Sequence, residues 1–96
     1  MSTLHIINTP QSKSDLSLHL QRFNSSDAVI FIQDGCYTLL NQAVFSVLNA
    51  SIVKAYAIEA DLNARAVTRQ NPLAFDAIDY DAFVDLTLSH HKTISW

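Results

Sequence analysis

The chain alternates between short, solidly apolar runs and stretches whose apolar residues recur every three or four positions. "TLHIIN" (residues 3–8) has the composition of a strand, and Pro10 closes it. Leu16, Leu20 and Phe23 fall on one helical face, which predicts a helix over about 14–23 capped by Ser12 or Ser14. After the polar break "NSSD", the run "AVIFIQ" (28–33) is apolar on both alternating faces, as a strand buried between two layers must be. Leu39, Leu40, Ala43, Val44, Val47 and Leu48 then recur with helical spacing and predict a second helix that starts just after Cys36. "IVKAYAI" (52–58) is a third strand, "EADLNARA" a short helix and "AFDAID" (74–79) a short strand. "YDAFVDLTLSH" predicts a helix with Phe83, Val84, Leu86 and Leu88 on its apolar face, and "KTISW" a last strand.

Strand and helix alternate throughout. That order predicts one compact α/β domain over residues 1–96: a doubly wound, mostly parallel five-stranded sheet with helices on both faces. In such sheets functional groups gather at the carboxyl ends of the strands. Asn8-Thr9-Pro10, Gln33-Asp34-Gly35-Cys36, Glu59-Asp61-Arg65 and Asp79-Tyr80-Asp81 are thereby expected along one rim.

Composition narrows the function classes. Of the 96 residues, 49% are hydrophobic and only 16% charged, against a usual charged share of about 25%. So few charges predict that some apolar surface meets another subunit. Net charge is −3, and the six basic residues Lys13, Arg22, Lys54, Arg65, Arg69 and Lys92 are scattered. No basic stripe exists to grip nucleic acid. No apolar run is long enough for a membrane span, and "MSTLHIIN" lacks the pattern of a signal peptide. One cysteine cannot form an internal disulfide, so the chain reads as soluble and cytoplasmic.

Candidate chemistry centres on Cys36, beside the only glycine. A thiol in the first turn of a helix is favoured as the thiolate, whereas Asp34 two residues away disfavours it. A buried, inert cysteine filling a turn fits these residues as well. Gly35 is expected to supply positive φ or a tight strand-to-helix turn. Hydroxyls at Thr9, Ser12 and Ser14 could suit a flavin phosphate, but that turn has no glycine, and no cofactor is expected. The histidines show no metal-ligand spacing. His90 and His91, with Lys92, are expected to complement the negative end of the last helix. His19 borders an apolar face, and the role of His5 stays open. Asp76, Asp79, Asp81 and Asp85 are expected to favour a helix start and face solvent. Asp61 and Arg65 stand at i and i+4, the spacing of a local ion pair. Trp96 is too large for a lone last strand to bury, which makes it a candidate interface anchor.

"TLHIINTP", "FIQDGCY", "VKAYAIEADLNARA" and "IDYDAFVDLTLSHHKTISW" together resemble the TusB/DsrH family of sulfur relay proteins, in collinear order over nearly the whole chain. The resemblance implies a DsrE/DsrF/DsrH-type α/β domain. It also implies assembly with TusC-like and TusD-like subunits as a heterohexamer with two copies of each. Such a complex passes persulfide sulfur from a TusA-like donor to a TusE-like acceptor, toward 2-thiouridine at the tRNA wobble position. Relatives in the DsrH branch serve sulfur oxidation. In both branches the main sulfur-carrying cysteine belongs to the TusD/DsrE-type subunit. Some DsrH members carry a cysteine in the first helix, where this chain reads "SDLSLHLQRF". At position 36 relatives often have Val or Ile, which favours a packing role for Cys36. The family's usual Ala-Arg-Gly is here Ala64-Arg65-Ala66.

The expected function is a non-catalytic subunit of a sulfur-transfer complex, with Asp34, Gly35, Asp61, Arg65 and Trp96 as possible partner contacts. Two other classes stay open: a persulfide carrier acting through Cys36, and a stand-alone homodimeric small-molecule binder.

Overall fold

The computed structural model describes residues 2–50, 53–67 and 75–96. Its strands are β1 (Thr3–Ile7), β2 (Ala28–Phe31), β3 (Lys54–Ile58), β4 (Asp76–Ile78) and β5 (Lys92–Ser95). Its α-helices are α1 (Lys13–Leu20), α2 (Gln42–Ala50), α3 (Glu59–Ala64) and α4 (Tyr80–Ser89). A 3₁₀ helix, Gln33–Leu40, joins β2 to α2. The strands form one sheet in the order β4-β3-β2-β1-β5, and every neighbouring pair is parallel.

Right-handed crossovers fix the layers. The chain steps β1→β2→β3→β4 in one direction, which places α1, α2 and α3 on one face. It then crosses back over the whole sheet to β5, which places α4 on the other. Packing follows this division. Ile7, Val29, Phe31 and Ala57 of the sheet pack with Leu16, Leu20, Val44, Leu48 and Leu62 of the first three helices. On the opposite face Leu4, Ala28, Ile30 and Ile58 form a smaller cluster, against which Phe83 and Leu86 of α4 rest half-buried. All four residues of β2 are buried, because it is the central strand and is covered on both sides.

Local chemistry sets the element starts. The Ser12 hydroxyl accepts from the Asp15 N–H at 3.1 Å and caps α1. Asn41 Oδ1 accepts from the Ala43 N–H at 3.0 Å at the start of α2. Asp79 Oδ1 accepts from the Ala82 N–H at 2.8 Å and caps α4.

Several expectations are corrected. The second strand ends at Phe31, and the α-helix expected just after Cys36 starts only at Gln42, behind the 3₁₀ helix that holds Cys36. Gly35, Cys36, Thr38 and Leu39 are buried while Asp34, Tyr37 and Leu40 are exposed. That is a period of three, the repeat of a 3₁₀ helix. Buried Thr38 hides it from a reading of apolar positions alone. Its hydroxyl accepts from the Gln11 N–H at 2.9 Å, tying the 3₁₀ helix to the β1–α1 turn. Gly35 does not have positive φ. It is needed for close approach: a Cβ there would lie 1.9 Å from the Ile7 carbonyl oxygen. On α4, Val84 and Leu88 face outward rather than inward. Lys92 lies in β5 rather than at the end of α4. The expected positions Ile52 and Ala74 at two strand starts, and Arg69, lie outside the described residues.

Candidate functional site

Two polar clusters stand out. The first lies at the carboxyl rim, where the connection after β3 rises to one face and that after β4 descends to the other. In an open α/β sheet the crevice at such a switch point is the usual ligand site. Here a side-chain hydrogen bond spans it: the Tyr80 hydroxyl donates to Asp61 Oδ1 at 2.9 Å. The other Asp61 oxygen accepts from the Gln33 N–H at 2.8 Å. That bond holds Gln33 in the left-handed region at φ 49°, a conformation rare for residues other than glycine. Donation to Asp61 raises the Tyr80 phenol above its ordinary range.

Arg65 does not pair with the Asp61 carboxylate, as the i, i+4 spacing suggested. Its Nε donates to Asp34 Oδ1 at 3.1 Å, and its Nη1 reaches the Asp61 carbonyl at 3.4 Å. Asp61 is already engaged by Gln33 and Tyr80, so the guanidinium turns to the next carboxylate. The Asp34 hydrogen bond raises Arg65 further above its usual value, so the residue is a fixed cation. Asp34, Gly35, Asp61 and Arg65 are therefore brought together. Trp96 is not among them.

Cys36 lies beneath this cluster, fully buried. Its Sγ donates to the Phe31 carbonyl at 3.6 Å. Burial pushes the thiol up to about 11, with Asp61 and Asp34 adding to the rise and Arg65 opposing it. At neutral pH such a group is thiolate in only about one molecule in ten thousand. The expected help from a helix start is missing, because α2 begins only at Gln42.

The second cluster gives His5 a role that its sequence position left open. His5 is buried in β1. Its Nε2 lies 3.0 Å from Asp27 Oδ2, while Trp96 Nε1 donates to its Nδ1 at 3.3 Å. The indole N–H requires Nδ1 to accept, so Nε2 carries the proton and donates to Asp27. Phe23 stacks on the imidazole with centroids 3.5 Å apart, and His19 packs on the indole at 4.0 Å. Asp27 also accepts from the Thr3 N–H at 3.0 Å and the Asn24 N–H at 3.3 Å. Burial alone would raise the Asp27 carboxyl, but the His5 bond and the two backbone donors outweigh it and hold it below its usual value.

An Asp–His pair can serve as the base of a nucleophile, but the nucleophile's place at Nδ1 is filled here by an indole N–H. The cluster therefore fixes the last residue to the first strand. Trp96 is half-buried against its own core rather than projecting from it, and its backbone N–H donates to the Ile6 carbonyl at 2.8 Å. His90 takes its expected place, with Nδ1 2.7 Å from the Leu86 carbonyl near the end of α4. His91 Nδ1 instead accepts from the Ser2 N–H at 3.3 Å. Among the described residues no group of three or more His, Cys, Asp or Glu is placed to hold a metal ion. Nor is any described helix long and apolar enough to cross a membrane.

The family model described as "DsrH like protein" matches residues 8–93. The chain belongs to the DsrH-like family. Among similar relatives, Protein TusB of Pectobacterium parmentieri is 32% identical over 94 residues, covering 97% of this chain and 99% of the relative. Protein TusB of Yersinia enterocolitica is 35% identical over 83 residues, covering 85% and 87%. Protein TusB of an Escherichia coli O139:H28 strain is 33% identical over 95 residues, covering 97% and 99%. The crystal structure of the ychN protein from E. coli superposes with a TM-score of 0.69 over 99% of this chain and 97% of that one, at 13% identity. At that identity the likeness speaks for the fold: this DsrH-like chain shares the α/β architecture of ychN.

Proposed function

We propose that this chain is a non-catalytic subunit of a cytoplasmic sulfur-transfer complex that relays persulfide sulfur toward 2-thiouridine at the tRNA wobble position. In this reading it assembles with TusC-like and TusD-like subunits, two copies of each, between a TusA-like donor and a TusE-like acceptor. Family membership supports the relay. The observation that carries the supporting role is the state of Cys36, whose thiol is buried, protonated and bonded to the Phe31 carbonyl. A persulfide carrier must present a nucleophilic thiolate to its donor, and this sulfur is poorly suited to that. The transferred sulfur then passes through a partner's cysteine.

The test is Cys36→Ser in the reconstituted complex, read by persulfide transfer and 2-thiouridine formation with melting measured in parallel. Relay is expected to persist, with a stability cost of about 1 kcal/mol for the exchanged buried group. Lost transfer from a variant that assembles and melts normally would make Cys36 a carrier and overturn the supporting role.

A further inference from the structure

We propose that the α4 side of the sheet is a docking surface for a companion subunit that presents apolar residues ringed by lysine or arginine. The inference rests on the assembly proposed above.

The geometry begins with coverage. Five parallel strands at about 4.8 Å spacing make a sheet about 19 Å across. One face carries three helices. Among the described residues the other carries only α4, and a helix with its side chains is about 10–12 Å wide. The described residues thus leave about half of that face without a layer of its own. The strand register shows what it holds: Ile30, Tyr56 and Asp76 stand side by side, as do Ile58 and Ile78. Beside α4 an open cleft of about 260 Å³ is lined by Tyr56, Ile78, Ala82, Asp85, Leu86 and Ser89.

The helix itself is unfinished in the same sense. None of its residues is buried, and its outward side carries Val84 and Leu88, 52% and 79% exposed. Large apolar side chains on the outer face of an already half-covered layer mark an interaction surface.

Charge selects the occupant. Between Arg69 and Lys92 the sequence has no Lys or Arg, but it has Asp76, Asp79, Asp81 and Asp85. Asp81 and Asp85 are exposed beside Val84 and Leu88. A second copy of this chain on the same face would set these carboxylates against each other, which disfavours the pairing. A partner with an apolar centre and a basic rim is complementary on both counts.

The experiment uses the full chain, co-expressed with the TusC-like and TusD-like subunits. The variants are Val84→Glu/Leu88→Glu and, separately, Asp81→Lys/Asp85→Lys, with melting and circular dichroism as controls. All four side chains are exposed, so the fold is expected to survive both changes. Each variant is expected to bind the partners about tenfold or more weaker than wild type. If the wild type co-purifies and both variants bind as well as it does, the docking face is wrong while the assembly stands. If the wild type does not co-purify, the assembly and the docking face fall together. If the pure chain self-associates and Val84→Glu/Leu88→Glu abolishes that, the occupant is a second copy and the proposal is overturned.

Discussion

Gly35→Ala tests how β1 and the 3₁₀ helix fit together. A Cβ at this position would sit 1.9 Å from the Ile7 carbonyl oxygen, 2.7 Å from its carbon and 3.2 Å from Asn8 Cα. All three are backbone atoms, so no side chain can swing away. Relief requires the two segments to part by about 1.6 Å, since ordinary contact begins at about 3.5 Å. The same Ile7 oxygen accepts from the Ile32 N–H at 3.0 Å, and that bond cannot survive such a shift. Losing one buried backbone bond costs about 1–3 kcal/mol, and overpacking adds about 1–3 kcal/mol. A loss of about 3–4 kcal/mol is a large part of the roughly 5–10 kcal/mol that holds such a domain together. At about 4–8 °C per kcal/mol, the melting temperature falls by about 12–32 °C. The assay is urea and thermal unfolding of the purified chain. Because φ at Gly35 is ordinary, Gly35→Asn is expected to do no better, although asparagine tolerates left-handed backbone better than alanine does. A Gly35→Ala variant within about 1 kcal/mol of wild type would refute the close-approach argument, and a rescue by asparagine would return the role to φ.

Two further outcomes are expected. Ala66 has φ 54° and ends α3 in a Schellman turn, with the Val67 N–H bonded to the Leu62 carbonyl and the Ala66 N–H to that of Asn63. Ala66→Gly is expected to stabilise by about 0.5–1 kcal/mol in thermal melts, because glycine takes that conformation without a Cβ penalty; an unchanged or lower melting temperature would count against it. Asp27 has a depressed folded pKa, so its contribution is present above the unfolded value of about 3.9 and is lost as pH falls through the folded one. The stability gap between wild type and Asp27→Asn is therefore expected to shrink from about pH 6 to about pH 3 in urea titrations, and a constant gap would contradict an Asp27 carboxylate held by its donors.

The layer order was readable because each crossover carries its own apolar period, and handedness leaves little choice once strands and helices alternate. The rim was readable for the same reason: Gln33, Asp34, Asp61 and Tyr80 all follow strand ends. What failed was pairing within the rim. An i, i+4 spacing made Asp61 and Arg65 partners, whereas a contact between distant loops gave Asp61 to Tyr80 and Gln33. Local spacing carries no information about a donor 28 residues away. Cys36 failed similarly. Its place after a strand suggested a helix N-terminus, but a buried threonine and the crowding at Gly35 wind that segment into a 3₁₀ helix. Asp27 left one signal, a carboxylate directly before a fully apolar strand. Only its parallel neighbour, which brings His5 alongside, could turn that signal into a pair.

The rim and the His5 cluster share a logic that bears on the assembly. In both, residue types that often do chemistry are joined into closed hydrogen-bond sets: Asp61 to Tyr80 and Gln33, Asp34 to Arg65, Asp27 to His5, and His5 to Trp96. Each bond links segments far apart in sequence, so the sets tie loops and the chain end to the sheet. A carboxylate or imidazole already satisfied by fixed partners gains little by giving up those bonds to a substrate. A satisfied rim fits the supporting role proposed above, in which the transfer would take place on a companion subunit. The α4 side stands in contrast, since Val84 and Leu88 stay exposed while Phe83 and Leu86 are only half-buried. Free energy therefore remains to be gained there by burial, and a partner at that face can provide it without disturbing the rim.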